Sequence, residues 1–282
     1  MEPALEETLN APRESVVVRD LTNATVTFRT DLTAELSIVR VTPDRGAAPE
    51  FEPGQFTLLG LPPAASSGPP TTASAARRLV RRAYSIASTP AERRHLEFYV
   101  ALVERGHLSP RLWTVPEGGR LWMDTRVSGR FTLAGVPPGA DLLMVATGTG
   151  IAPFMSMLRT FHGTGRWRHA VLVHGVRRAC DLAYRDELEA LAASSSAFTY
   201  LPTVTREEDS STWQGLRGRV QTILADGTYD VLVGRALDPA HWHAFLCGNP
   251  EMIGAVRDDL AGRGFSTGTD GGPRNLHFER YW

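Results

Sequence analysis

A short stretch beginning at Arg82 carries side chains that could hold a ligand with a phosphate and a flat ring. Residues 82–88 read Arg-Ala-Tyr-Ser-Ile-Ala-Ser and alternate between apolar and polar side chains, as a half-buried strand does. Arg82 and Tyr84 would share one face, where a guanidinium suits a phosphate and a ring offers a stacking surface. Ser85 follows at the end of the strand with a hydroxyl group. Taken alone, the stretch is more simply explained as an edge strand with a surface arginine and a core tyrosine.

A glycine-rich turn is the second candidate site. Residues 145–153 read Val-Ala-Thr-Gly-Thr-Gly-Ile-Ala-Pro and lie between a predicted strand and a predicted helix. Such glycines let the backbone approach a pyrophosphate, and the N-terminus of a helix supplies N–H donors. The third glycine of the usual dinucleotide fingerprint is missing because Pro153 stands there, and a lone G-x-G is weak evidence. The strand-to-helix context nevertheless favours a nucleotide site.

A free cysteine ends the next-to-last predicted strand. Residues 245–253 read Phe-Leu-Cys-Gly-Asn-Pro-Glu-Met-Ile. Cys247 would stand at the carboxyl end of a parallel strand, where such sheets bind ligands. The alternative is a small buried core thiol, which is the more common fate of a free cysteine.

A short helix is predicted to begin near Ser109. Ser109 is a good N-cap, Pro110 is a good first helical residue, and Gly106 loosens the backbone before them. N–H groups at the start of a helix favour an anion. The alternative is a plain linking helix, but the position of the segment, after the Arg82 strand and the strand that follows it, favours a phosphate site.

The elements that position these residues are of two kinds. The first half of the chain contains short stretches rich in β-branched and aromatic residues and separated by turn residues, which predicts a small antiparallel β-barrel. The predicted strands cover residues 15–18, 25–29, 34–42, 55–61, 82–88, 95–103 and 120–128. After Pro137-Pro138-Gly139 strands alternate with helices, which indicates a parallel sheet. The helices are predicted at about 152–161, 184–193, 220–225 and 250–263.

These patterns divide the chain into segments. We predict a disordered extension over residues 1–12, a barrel domain over 13–138 and an α/β domain over 139–282. A flexible insertion rich in Pro, Ser, Thr, Gly and Ala is predicted at 62–76, between two barrel strands. A lid beside a ligand is the alternative interpretation of this insertion.

Composition excludes several classes of protein. The net charge of −1 provides no overall basic footprint for nucleic acid, and no apolar run approaches the roughly 20 residues that a membrane helix needs. The acidic N-terminus lacks the features of a signal peptide, so we expect a cytoplasmic protein. The two cysteines, Cys180 and Cys247, are too few for an iron–sulfur cluster held by four cysteines. His241 and His243 could share a strand face, but no third ligand is evident, so no metal site is predicted.

Five motifs in this order resemble the ferredoxin–NADP reductase family, and most closely its bacterial ferredoxin/flavodoxin–NADP reductase branch. They are Arg82-Ala83-Tyr84-Ser85, the turn at 106–112, the glycine turn at 148–153, Cys247-Gly248-Asn249-Pro250 and the terminal Glu279-Arg280-Tyr281-Trp282. The resemblance implies a ferredoxin reductase-like fold, with FAD on the barrel and NADP(H) on the α/β domain. It also implies electron transfer between NADPH and a one-electron carrier protein.

The resemblance also assigns residues to each cofactor. Arg82 would pair with the FAD pyrophosphate, Tyr84 would stack on the flavin and Ser85 would bond near its N5. The implied FAD-binding residues are Arg82, Ala83, Tyr84, Ser85, Val100, Gly106, His107, Leu108, Ser109, Tyr281 and Trp282. The implied NADP-binding residues are Thr147, Gly148, Thr149, Gly150, Arg177, Arg206, Arg219, Cys247, Gly248 and Asn249. Ser85, Cys247 and Glu279 would shape the contact between nicotinamide and flavin. Ordinary packing of a C-terminal tail is the alternative for the last two residues of the chain.

A preference for NADP over NAD depends on three arginines. Arg177 and Arg206 each follow a predicted strand, and Arg219 precedes a predicted helix. Each could be a solvated surface residue, but three at one edge of a sheet favour a 2′-phosphate. The alternatives are an NADH-dependent reductase feeding an oxygenase and a flavin-binding electron-transfer subunit without nicotinamide turnover.

The carrier would be an acidic protein, ferredoxin or flavodoxin. Residues 77–130 contain 11 Arg and 5 Asp plus Glu, a local balance of +6. We expect a basic rim around the flavin that includes Arg93 and Arg94. We expect the enzyme to be a monomer.

Overall fold

The structure is a computed structural model that describes residues 21–62, 79–208, 210–225, 227–269 and 271–280. The predicted extension at 1–12, the predicted insertion beyond Pro62, and Tyr281 and Trp282 lie outside the described residues. The predicted strand at 15–18 also lies outside them.

The first sheet is antiparallel and has six strands. They are β1 (Ala24–Asp31), β2 (Leu36–Pro43), β3 (Phe56–Leu61), β4 (Val80–Ser85), β5 (Leu96–Ala101) and β6 (Arg120–Met123). Their order is β4-β3-β6-β1-β2-β5. The edge strands approach each other through a bridge between Ile86 and Phe98, and Ala87 N donates to Glu97 O at 2.8 Å. The sheet therefore curves into a barrel. A short helix, α1 (Ser109–Trp113), lies between β5 and β6.

The second sheet is parallel and carries helices on both faces. Its strands are β7 (Asp141–Thr147), β8 (Ala170–Val176), β9 (Phe198–Val204), β10 (Leu216–Arg217), β11 (Trp242–Gly248) and β12 (Leu276–Arg280). Its helices are α2 (Ala152–Phe161), α3 (Arg185–Ser194), α4 (Val220–Ala225), α5 (Thr228–Val233) and α6 (Pro250–Gly262), and a 3₁₀ turn at Gly148–Ile151 leads into α2. These two sheets confirm the predicted fold class.

The order of the parallel strands creates a crevice for a ligand. The order is β10-β9-β8-β7-β11-β12, so the chain leaves β7 toward β8 and later returns to β11 on the other side of β7. Helix α2 packs in the core on one face of the sheet, and α6 packs in the core on the opposite face. The connections that leave β7 and β11 therefore diverge, and a ligand can bind at their carboxyl ends.

Burial on both faces explains the continuous apolar run of β7. Leu142, Met144 and Ala146 belong to one core cluster, whereas Leu143 and Val145 belong to the cluster on the other face. Alternate side chains of a strand point to opposite faces, so a sheet covered on both sides needs apolar residues at every position.

A buried ion pair joins the barrel to the parallel-sheet domain. Glu97 of β5 is 3% exposed, and its carboxylate lies 2.8 Å from Arg40 and 2.7 Å from Arg159 of α2. Burial opposes ionisation of Glu97, but the two guanidinium groups outweigh it and lower the pKa of the carboxyl. Arg159 also donates to Glu187 of α3 at 2.7 Å. Removing one partner of a buried pair costs about 3–5 kcal/mol, so the pair helps to hold the domains together.

Two elements were not predicted from the sequence. Helix α5 leaves Val231 84% and Leu232 47% exposed, so it lacks the regular apolar face by which a helix is recognised. Strand β10 has only two residues and pairs with the end of β9. The predicted strand at 82–88 ends at Ser85, because the chain after it turns toward β5.

Candidate functional site

Strand β4 presents the proposed flavin residues on an open surface. Arg82 and Ala83 are exposed, Tyr84 is half-buried and Ser85 is buried. The Arg82 guanidinium donates to the Arg81 carbonyl at 2.8 Å, and no carboxylate pairs with it among the described residues. The ring of Tyr84 meets Phe98 edge to face at 6.4 Å. Burial raises the pKa of Tyr84 to about 12, although the Arg82 charge opposes the shift. The strand can therefore offer a cation and an uncharged ring side by side.

The turn before α1 is built differently from the prediction. Ser109 was expected to cap the helix, but Leu108 occupies the N-cap position and Ser109 is the first helical residue. The Ser109 hydroxyl instead accepts from Val103 N at 3.0 Å and donates to Val103 O at 3.1 Å. A Cβ at Gly106 would lie 2.9 Å from Val103 O. The glycine and the serine thus shape a tight loop, and the prediction of a serine cap was wrong.

The other residues assigned to FAD divide between surface and core. His107 is exposed, whereas Leu108 and Val100 are 1% and 2% exposed and pack in the barrel core. The side chains of Leu108 and Val100 therefore support the barrel, which leaves only their backbone groups to face a ligand. Arg111 of α1 donates to the Pro62 carbonyl at the end of β3.

Three residues from different strands converge where the two sheets meet. The Ser85 hydroxyl, at the end of β4, donates to a Glu279 carboxylate oxygen of β12 at 3.2 Å. Glu279 stands opposite Cys247 in the β11–β12 register, and Cys247 is fully buried. Burial raises the pKa of Glu279, and the Ser85 hydroxyl partly offsets this effect. Sequence separates Ser85 and Glu279 by 194 positions, but the fold places them in contact.

The turn after β7, at Gly148–Ile151 and here called the nucleotide turn, depends on glycines for two different reasons. A Cβ at Gly150 would lie 2.2 Å from Cys247 O, and one at Gly248 would lie 2.3 Å from Thr147 Oγ1. These glycines let the turns after β7 and β11 pack together. Gly148 has a φ of +52° and nothing within 4 Å of the place a Cβ would take, so it borders open space. Of the three, only Gly148 has the open approach that a phosphate needs.

Side chains also fasten the two turns. Thr147 Oγ1 accepts from Asn249 N at 2.8 Å. The Asn249 side chain accepts from Glu251 N at 2.8 Å and from Met252 N at 3.2 Å, so it caps α6. Asn249 therefore has a structural role besides the predicted contact with NADP.

The three arginines assigned to the 2′-phosphate follow adjacent strands. Arg177 follows β8, Arg206 follows β9 and Arg219 follows β10, and Arg206 N donates to Arg177 O at 2.7 Å. Their side chains differ, because Arg177 donates to Glu35 of the barrel at 2.5 Å and lies 3.7 Å from Asp181. No acidic partner contacts Arg206 or Arg219 in the part of the chain that the structure describes. One edge of the sheet thus carries three cations, one of them partly neutralised.

A buried histidine that the sequence did not single out lies beneath the turn after β7. His174 of β8 is fully buried, with Nε2 3.3 Å from Gly148 O and Nδ1 3.3 Å from the Tyr200 hydroxyl. Its signal in the sequence is a lone imidazole within Val-Leu-Val-His-Gly-Val.

A cavity of about 360 Å³ opens beside Glu279. Its lining includes Arg130, Phe131, Arg274 and His277. The ring of His277 stacks on Phe245 at 4.3 Å between centroids, and its Nε2 lies 3.4 Å from His243 Nδ1. Within the described ranges, no set of three or more His, Cys, Asp or Glu could hold a metal ion, and no helix is long and apolar enough to cross a membrane.

Comparison with known proteins identifies the family. The model of the oxidoreductase NAD-binding domain matches residues 144–258. Ferredoxin--NADP reductase A of Sorangium cellulosum is 34% identical over 239 residues, which cover 82% of this chain and 80% of the relative. Flavodoxin/ferredoxin--NADP reductase of Escherichia coli is 33% identical and covers 72% of this chain and 76% of the relative.

A solved structure agrees with these relatives. A ferredoxin NADP+ reductase from Neisseria gonorrhoeae with bound FAD and NADP superposes with a TM-score of 0.78 at 26% identity. The superposition covers 93% of this chain and 98% of that one. The resemblance inferred from the five motifs is thereby confirmed, and the chain belongs to the ferredoxin–NADP reductase family.

Proposed function

We propose that this protein is a ferredoxin (or flavodoxin)–NADP reductase that binds FAD and NADP(H). The observation that carries the proposal is the contact between Ser85 and Glu279, with Cys247 opposite Glu279. It joins the end of the proposed flavin strand to the carboxyl ends of the strands that flank the nucleotide crevice. A flavin on β4 and a nicotinamide at β11 would therefore meet at this point.

FAD would lie along β4 and the turn that precedes α1. The exposed Arg82 guanidinium is available for a pyrophosphate, and bidentate phosphate binding is what this group does best. Tyr84 would stack on the ring system, and Ser85 would bond near N5. The tight turn at 106–109 would supply backbone donors. Tyr281 and Trp282 keep their assignment as residues that cover the flavin and the adenine.

NADP(H) would bind across the carboxyl ends of β7, β8 and β11. The open space above Gly148 fits a pyrophosphate, with Thr147, Thr149 and Gly150 in the same turn. Arg206 and Arg219 would hold the 2′-phosphate together with Arg177. Gly248 and Asn249 would border the nicotinamide end.

FAD, when bound, can accept a hydride from NADPH and release electrons singly, which nicotinamide cannot do. The residues of this chain would orient the two rings and exclude water. Cys247 would pack against the nicotinamide, and Ser85 would hydrogen-bond near the flavin in place of the bond that it donates to Glu279. Glu279, with its raised pKa, would hold a proton beside Ser85 more readily than an exposed glutamate.

The carrier would dock near the cavity beside Glu279. The predicted docking residues Arg93 and Arg94 lie near acids, with Arg93 3.4 Å from Glu50 and Arg94 3.2 Å from Glu92. Arg130 and Arg274 line the cavity and pair with no carboxylate in the described portion of the chain. These two are better placed to attract an acidic ferredoxin or flavodoxin. The protein would act as a cytoplasmic monomer.

The docking proposal is tested by two double variants. Arg130→Glu with Arg274→Glu should raise the KM for the carrier at least tenfold at low salt and flatten its salt dependence. Arg93→Glu with Arg94→Glu should change the KM for the carrier and its salt dependence much less. Steady-state reduction of a bacterial ferredoxin or flavodoxin, with NADPH–ferricyanide turnover as the control, would compare them. A larger effect of the Arg93 and Arg94 variant would favour the original prediction that these two arginines receive the carrier.

The proposed function itself is tested by an anaerobic titration followed in the visible spectrum. Purified protein loaded with FAD is titrated with NADPH and, in a fresh sample, with NADH. We expect a flavin spectrum that bleaches with NADPH and poorly with NADH. Equal bleaching would remove the 2′-phosphate assignment and favour an NADH-dependent reductase that feeds an oxygenase. A flavin that neither nucleotide bleaches would indicate an electron-transfer subunit, and a protein that takes up no FAD would refute the proposal.

A further inference from the structure

His174 connects the nucleotide turn to the interior of the sheet. The side chain rises from β8, is fully buried and reaches the carbonyl of Gly148 with Nε2 at 3.3 Å. Its other ring nitrogen, Nδ1, lies 3.3 Å from the hydroxyl of Tyr200 on β9. A chain of two hydrogen bonds therefore runs from β9 through β8 to the turn after β7.

The two partners determine which nitrogen carries the proton. A carbonyl oxygen can only accept, so Nε2 of His174 must donate to Gly148 O. In a neutral imidazole the other nitrogen is then an acceptor, so the Tyr200 hydroxyl must donate to Nδ1. Burial lowers the pKa of His174 to about 4, although the Gly148 carbonyl opposes the shift. The ring stays neutral and in one tautomer at the pH of the cell.

The orientation of one peptide unit follows from this bond. In a planar trans peptide, the carbonyl and the following N–H point in opposite directions. Because the Gly148 carbonyl points inward to His174, the Thr149 N–H of the same peptide points away from the imidazole. Gly148 opens the 3₁₀ turn with a φ of +52°, which glycine adopts at little cost, and the bond from His174 anchors its carbonyl to β8.

We propose that His174 is a positioning residue for nucleotide binding, which orients the Gly148–Thr149 peptide so that its N–H faces the pyrophosphate. The inference rests on the proposed binding of NADP(H) to this turn. His174 does not contact the nucleotide and acts through the backbone. Tyr200 supports it by fixing the tautomer.

Two amide substitutions separate positioning from packing. The amide nitrogen of Gln lies near the position of Nε2, whereas that of Asn lies near Nδ1. His174→Gln can therefore still donate to Gly148 O, and His174→Asn cannot. Both side chains are neutral and polar, so their cost of burial is similar. Tyr200→Phe removes only the hydroxyl that orients the imidazole.

The experiment measures binding by isothermal titration calorimetry on protein loaded with FAD. The two ligands are NADP⁺, which contains both the pyrophosphate and the 2′-phosphate, and 2′-AMP, which contains the 2′-phosphate but no pyrophosphate. We expect His174→Asn to lower the affinity for NADP⁺ about tenfold, which corresponds to the loss of one hydrogen bond. Tyr200→Phe should lower this affinity about threefold. His174→Gln should stay within about threefold of wild type. All three variants should bind 2′-AMP as wild type does.

The outcomes distinguish this inference from the proposed function. If wild type bound no NADP⁺, the proposed function would be wrong. Positioning by His174 would be refuted if wild type bound NADP⁺ but His174→Asn and His174→Gln lost NADP⁺ affinity equally. It would also be refuted if His174→Asn lost affinity for NADP⁺ and for 2′-AMP by the same factor. Thermal unfolding of each variant shows whether it folds. Should the His174 variants fail to fold, the affinities of Tyr200→Phe test the inference. A loss of affinity for NADP⁺ but not for 2′-AMP would support positioning by His174, and an equal loss or no loss would refute it.

Discussion

The proposed nucleotide edge of the parallel sheet, formed by the turns after β7 and β11, and the proposed flavin face of the barrel, formed by β4, are built on opposite plans. At the nucleotide edge the backbone of the two turns would form the site, since Gly150 packs on the Cys247 carbonyl and Gly248 packs on Thr147. Side chains such as His174 and Asn249 lie behind or beside the backbone and hold it in place. This region is preformed by packing.

The flavin face instead presents side chains that project outward, and the proposed binding of FAD would depend on them. Arg82 and Ala83 are exposed, and the Arg82 guanidinium makes one bond to a neighbouring carbonyl. The barrel core beneath them does not depend on Arg82. A mutation at the nucleotide edge should therefore damage both fold and binding, whereas a mutation on the flavin face should damage binding alone.

The largest expected effect is that of Gly150→Ala. The new methyl carbon would lie 2.2 Å from Cys247 O, a backbone atom that cannot swing aside. We expect the free energy of unfolding to fall by about 3 kcal/mol, the cost of overpacking, and NADP⁺ binding to weaken strongly. Denaturant unfolding and calorimetry would measure the two effects.

Gly254→Ala is the matched control. Gly254 lies within α6 and has nothing within 4 Å of the added carbon, so the substitution should stabilise the helix by about 0.5–1 kcal/mol. If Gly150→Ala were as harmless as this control, the nucleotide edge would not be preformed by packing.

The next effect is expected on the flavin face, from Arg82→Gln. A hydrogen bond to a charged group contributes about 1.5–3 kcal/mol, so FAD affinity should fall at least tenfold. The stability of the protein without FAD should change by less than about 0.5 kcal/mol, as at other exposed sites. Arg81→Gln is the control, because the Arg81 guanidinium lies over the Trp122 ring at 5.4 Å. Equal loss of FAD from both variants would contradict the assignment of Arg82 to the pyrophosphate.

A smaller effect is expected where the two regions meet, at Glu279. Its pKa is raised above the ordinary 4.5, so the unfolded chain releases this proton at a lower pH than the folded protein does. The free energy of unfolding therefore falls as the pH rises from 4.5 through the folded pKa. Glu279→Gln should remove this decline and be the more stable protein at neutral pH. Unfolding at a series of pH values would test it.

Ser85→Ala provides the comparison for that experiment. It removes the hydrogen bond that lowers the pKa of Glu279, so the decline should extend to higher pH than in wild type. Identical pH profiles for wild type and Glu279→Gln would show that Glu279 does not titrate in this way.

The smallest effect is expected from Glu35→Gln. Glu35 and Arg177 are each about half exposed, and exposed ion pairs contribute about 0–1 kcal/mol. If Arg177 must leave Glu35 to bind a 2′-phosphate, removing the charge should raise NADP⁺ affinity up to about threefold. NAD⁺ affinity, which involves no such phosphate, serves as the control. Unchanged affinity for NADP⁺ would place Arg177 outside the 2′-phosphate site.

Local sequence patterns predicted most of the fold. The helices at 152–161 and 220–225 have the predicted bounds, because apolar periodicity and flanking residues define both ends. Helix α5 was missed because its exposed Val231 and Leu232 break that periodicity. The prediction that Ser109 caps α1 was wrong because its hydroxyl bonds back to Val103. Composition does not reveal whether a serine hydroxyl will bond to the helix that follows it or to the loop that precedes it.

The sequence by itself determined the two-domain fold, the family and the order of the motifs. Glycine spacing, strand alternation and the closing aromatic residues are local features, and they can be recognised before the chain folds. Tertiary structure decided which distant residues meet. It put Ser85 against Glu279 and paired Arg177 with Glu35, and it placed Arg130 and Arg274 beside one cavity with no ion pair to a carboxylate among the described residues. It also decided the role of His174, because the orientation of a peptide depends on a hydrogen bond from another strand, and no pattern within β8 encodes that contact.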